Sequence, residues 1–81
     1  MGARIDDAFM TAEYGGRVIA TAWYSPQAAA DGQSAWVVSG LPRRLFTWNQ
    51  AITAMVLVER LADGYGDDDL FVIGWREELG L

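Results

Sequence analysis

The sequence predicts an α+β fold: an antiparallel sheet of three to four strands with one long helix packed on a face, in the order ββ-β-α-β. The expectation rests on a Gly15-Gly16 pair between two runs of β-favouring residues, and on a segment without Gly or Pro from Trp48 to Asp63 that carries helix-start residues. Short apolar stretches flank that segment on either side. Strands and a helix segregated in this way bury their apolar faces by stacking as layers. At 81 residues, 52% hydrophobic and 21% charged, the chain has the make-up of one globular domain spanning residues 1–81.

The first hairpin follows from the glycines. A Gly-Gly pair supplies the positive φ angles of a two-residue turn, so Ala8 to Tyr14 and Arg17 to Ser25 are predicted antiparallel neighbours. Alternation places Val18, Ala20, Ala22 and Tyr24 on one side of the second strand, and Ile19, Thr21 and Trp23 on the other. Neither side is polar. Pro26 ends that strand and Gln27 to Ser34 reads as a loop, with Ala28 to Ala30 able to form one helical turn. Ala35 to Ser39 is a short strand closed by Gly40-Leu41-Pro42.

Thr47, with Gln50 three residues later, predicts a capping box in which each side chain satisfies the other residue's backbone N–H. Trp48 to Asp63 is the helix, and Gly64 its left-handed stop. Around this helix Asn49, Thr53, Arg60 and Asp63 make a narrow polar strip, and apolar residues from Trp48 and Ala51 to Leu61 and Ala62 sweep around the remainder, interrupted by Glu59. Leu70 to Trp75 reads as a last strand on the strength of Val72, Ile73 and Gly74. The alternative is a short helix capped by Asp69 and stopped by Gly80 after Leu79.

With no cysteine, histidine or lysine, the chain cannot use disulfides, thiol nucleophiles, Schiff-base lysines or histidine acid/base chemistry. No base is present to activate Ser25, Ser34 or Ser39, and a carboxylate pair such as Glu13 with Glu59 is the sole acid/base candidate. Glu59 is more simply read as a helix-edge carboxylate paired with Arg17 or Arg60. The expectation is a protein that is not an enzyme and has no cofactor and no metal site. The run Asp63-Gly64-Tyr65-Gly66-Asp67-Asp68-Asp69 looks like one turn of a calcium-binding nonapeptide repeat, but a single copy supplies half a site and reads as a solvated loop. The start of the chain lacks the apolar run of a secretory signal and no stretch is long enough to span a membrane, so a cytoplasmic location is expected.

Net charge is −5, all of it attributable to the last 21 residues, where Arg76 faces six carboxylates. Such a field repels nucleic acid. Three functional classes follow. The first is a protein-protein interaction or regulatory factor: domains this small gain only ~3 to 5 kcal/mol from their own core unless stapled or paired. The helix also carries an apolar arc about twice the ~100° that one sheet covers. A homodimer, with an additional host protein as partner, is therefore expected through Trp48, Leu57, Leu61, Trp23 and Trp36. The second class is an acidic decoy that presents Asp67, Asp68, Asp69, Glu77 and Glu78 as phosphates to a nucleic-acid-binding groove. The third is an anion or nucleic-acid binder that uses Arg43, Arg44 and Thr47 at the helix start.

The stretch Trp36-Val37-Val38-Ser39 together with Leu45-Phe46-Thr47-Trp48-Asn49-Gln50-Ala51-Ile52-Thr53-Ala54-Met55, ending at Glu59, resembles small uncharacterised proteins of actinobacteria and their phages. The resemblance covers about a third of the chain. It implies a phage- or prophage-encoded factor and assigns no site residues.

Overall fold

The computed structural model describes residues 2–5, 9–25, 35–41 and 45–81. These form an antiparallel sheet, β1 (Gly2–Ile5), β2 (Phe9–Tyr14), β3 (Arg17–Tyr24) and β4 (Trp36–Val38), in that spatial order, followed by two helices, α1 (Trp48–Ala62) and α2 (Leu70–Leu79). The expected Gln27 to Ser34 loop, the Ala28 to Ala30 turn, and Arg43 and Arg44 lie outside the described residues.

The Gly15-Gly16 hairpin forms as its chemistry requires, both glycines taking positive φ. One shift of register between Ala12 and Glu13 sets Ala12 opposite Ala20 but Glu13 opposite Val18. This bulge corrects the simple alternation, because Val18 leaves the face of Ala20 and Ala22 and is 54% exposed. Beyond it, Met10, Ala12, Ala20, Ala22, Trp36 and Val38 point into the core. Trp36 also exchanges two backbone hydrogen bonds of 2.9 Å with Phe46, which pairs the outer edge of β4 and leads the chain into α1.

The capping box at Thr47 is present in full. Its Oγ1 accepts from the Gln50 N–H at 3.2 Å, and Gln50 Oε1 accepts from the Thr47 N–H at 3.0 Å. At the other end Gly64 has φ of 102°.

The predicted last strand is a helix. Leu70 to Trp75 opens α2, whose start is capped by Asp69 accepting from the Val72 N–H at 3.0 Å and whose end is Gly80 in the left-handed region. The cap and stop prevail over the β-leaning Val72 and Ile73 because strand preference is a matter of neighbours, and this segment packs against α1. The order after β1 is thus ββ-β-α-α. A second correction follows from the first: α2 packs on α1. Ala51, Thr53, Ala54, Met55 and Leu57 are all buried, an arc of roughly 200° at 100° per residue. The sheet covers one side of that arc and α2, through buried Val72 and Leu79, the other. Two residues of the polar strip, Thr53 and Arg60, lie at the seam between the helices. Thr53 Oγ1 lies 2.9 Å from Glu78 Oε2, Gln50 Nε2 donates to the Glu78 carbonyl at 3.3 Å, and Arg60 holds Asp69.

Candidate functional site

Among the described residues, helices cover one side of the sheet only. On the other side the register aligns Phe9, Trp23 and Val37 in one row, with Thr11 and Thr21 in the next. Phe9 is 47% and Trp23 40% exposed, with Ile19 and Val18 beside the bulge also exposed. Glu13 stands at the hairpin end of this face. Within it Thr11 Oγ1 is buried and has no hydrogen-bond partner among the described residues. A hydroxyl buried without a partner is costly, whereas one on an outward sheet face ordinarily bonds water.

The residues expected to bind a partner are not brought together. Trp36 and Leu57 lie in the core at 2% and 3% exposure, and Leu61 packs against it. Trp48 is exposed at the start of α1, on the helical side of the sheet, and Trp23 lies on the open side. Phe9 and Val37 complete the row around Trp23. The signal for them was the alternation in Phe9 to Tyr14, where Phe9 and Thr11 oppose Met10 and Ala12.

The acidic stretch is not a uniformly solvated run. Asp69 accepts Arg60 Nε at 2.7 Å and Nη2 at 2.8 Å while capping α2. The paired guanidinium and the capped N–H together hold its carboxyl down at about 2. Arg60 is stacked against two rings, 3.9 Å from the centroid of Tyr65 and 4.7 Å from that of Phe71. Asp67 pairs with Arg76 at 3.3 Å and Glu78 meets Thr53. Asp68 and Glu77 have no side-chain partner among the described residues. Glu59 pairs with neither Arg17 nor Arg60, since Asp69 takes Arg60.

Between α1 and α2 an open cleft of about 230 Å³ is lined by Val56, Glu59, Arg60, Asp63, Tyr65 and Trp75. Of the lining carboxylates, Asp63 accepts at Oδ1 from the Tyr14 hydroxyl at 3.2 Å; this hydrogen bond and the carboxylate charge raise the phenol's pKa. Among the described residues no group of three or more Asp or Glu converges as a metal site would require. Ser39 Oγ accepts from the Thr21 N–H at 2.9 Å, a structural bond at the end of β4. No helix is long and apolar enough to cross a membrane among the described residues.

No family model matches the chain, and neither a curated protein nor a solved structure matches it significantly.

Proposed function

We propose that this protein is a non-enzymatic interaction factor that acts as a homodimer, a second copy covering the open face of its sheet. The observation that carries this reading is the row Phe9, Trp23 and Val37, a set of large apolar groups on a sheet face that no helix crosses among the described residues. Charge placement supports a second copy as the occupant. Asp67, Asp68, Asp69, Glu77 and Glu78 all belong to the helical layer. Sheet-to-sheet packing therefore keeps these carboxylates of two molecules, each of net charge −5, away from one another. The core of α1 no longer argues for a partner, because α2 covers it. The decoy reading is the weaker one: Asp67, Asp69 and Glu78 are engaged within the chain, which leaves Asp68 and Glu77 for mimicry. The resemblance to actinobacterial and phage proteins fits a regulatory factor that leaves its helical layer for another protein.

Light scattering coupled to size exclusion tests the dimer. The expected result is a dimer at micromolar concentration that Trp23→Glu and Ile19→Glu each convert to a monomer with an unchanged helical circular-dichroism spectrum. A wild-type species of 8.9 kDa at every dilution would overturn it.

A further inference from the structure

We propose that the cleft between α1 and α2 receives the guanidinium group of an arginine side chain presented by a partner protein. The inference lies on the helical layer and does not depend on the dimer. Its walls divide by chemistry. Glu59 and Asp63 supply carboxylates one helical turn apart, and Tyr65 and Trp75 supply aromatic rings, tryptophan being the strongest cation-binding ring. Glu59 is partly buried and has no hydrogen bond or ion pair from its side chain among the described residues. Asp63 accepts one bond, from Tyr14, where a carboxylate can accept about four.

The one cation in the wall does not cancel this acidity. Arg60 is held by both oxygens of Asp69 and lies over the rings of Tyr65 and Phe71. That arrangement shows on this same surface how a guanidinium is bound, by a planar two-bond contact to a carboxylate and by stacking on rings. An incoming guanidinium would find the same two kinds of group in Glu59 and Trp75. Size decides against larger ligands: 230 Å³ is below the ~300 to 1,000 Å³ of ordinary small-molecule pockets and suits one side-chain head group. Chemistry decides against a hard metal ion, because calcium takes about six to eight oxygens and two carboxylates beside apolar rings fall short.

The probe is Nα-acetyl-arginine amide, titrated into the labelled full chain and followed by the Trp75 indole N–H and the backbone amides of Val56, Glu59 and Asp63. Acetyl-citrulline amide, of nearly the same shape but uncharged, is the control. The expected result is saturable shifts confined to the cleft with the arginine compound and none with citrulline. Glu59→Gln, which removes a carboxylate that makes no hydrogen bond or ion pair among the described residues, should weaken the binding by roughly two- to fivefold, as expected for one partly exposed charge pair. Equal shifts with both compounds, an absence of saturable shifts, or an unchanged affinity in Glu59→Gln overturns the proposal. Repeating the titration on Trp23→Glu separates it from the dimer, since cleft binding should survive there.

Discussion

Two side chains, Thr47 and Asp69, begin the two helices, and only the first was plain in the sequence. Thr47→Ala removes the acceptor for the Gln50 N–H and should cost about 1 kcal/mol, within the usual ~0.5 to 2, read as a lower urea midpoint. Asp69 does two things, capping α2 and holding Arg60, and so its ionisation is linked to folding. Its carboxyl is held down at about 2 in the fold, against roughly 3.9 in an unfolded chain. A group lowered on folding contributes stability that is fully present above its unfolded pKa and is lost as pH falls toward the folded one. Thermal melts should therefore show a drop from about pH 4 down to about pH 2 that shrinks in Asp69→Asn. Because asparagine still caps, Asp69→Asn should melt above Asp69→Ala. The pairing with Arg60, nine positions back, was invisible beforehand: the turn between them had to form before the two could meet.

At the level of elements, the hairpin, the central helix and its cap were legible because each is marked by residues within a few positions of one another. Gly15-Gly16 and Thr47 with Gln50 need no distant partner. The identity of the segment from Leu70 was not legible, since β-leaning residues and helix-end signals coincide there and the choice rests on what lies next to it. A pair of substitutions separates the two forms. A strand would place Leu70 and Val72 on the same face and make their truncations alike. In α2 Leu70 is 82% exposed and Val72 fully buried. Val72→Ala is expected to cost more than ~1 kcal/mol in urea unfolding, and Leu70→Ala to stay within ~0.5 kcal/mol of the parent. Equal effects would contradict the helix. The polar strip of α1 shows the same dependence, for Thr53 and Arg60 read only as members of that strip, and the fold sets them against Glu78 and Asp69.

For the whole molecule, the extents of 36 × 27 × 17 Å are telling. The shortest is close to the depth of one sheet and one helical layer, the two layers that the described residues form. The small core of alanines, Ala12, Ala20, Ala22, Ala51 and Ala54, filled out by Met10, Phe46 and Met55, is consistent with a chain that gains further stability from pairing. Because the proposed interface is apolar and the net charge is −5, added salt should leave the dimer unchanged or tighten it by screening repulsion. Sedimentation in low and high salt checks this. A dimer that dissociates as salt rises would point to ion pairs, and thus to the helical layer, as the interface.

The amino-acid order alone determined the turn at Gly15-Gly16, the start and stop of α1, the exclusion of histidine, cysteine and lysine chemistry, and a β3 without a polar side. Each depends on composition or on contacts closed within about one turn of chain. Tertiary structure alone decided that α2 is a helix, that it covers the apolar arc which had suggested a partner for α1, and that Trp36 and Leu57 are core while Trp23 is surface. It also decided which carboxylates are spent on Arg60, Arg76 and Thr53 and which line the cleft. The physical reason is common to all of these. Burial and pairing are properties of groups brought together from distant positions, and the same tryptophan or aspartate serves as core, cap or surface according to what the fold sets against it.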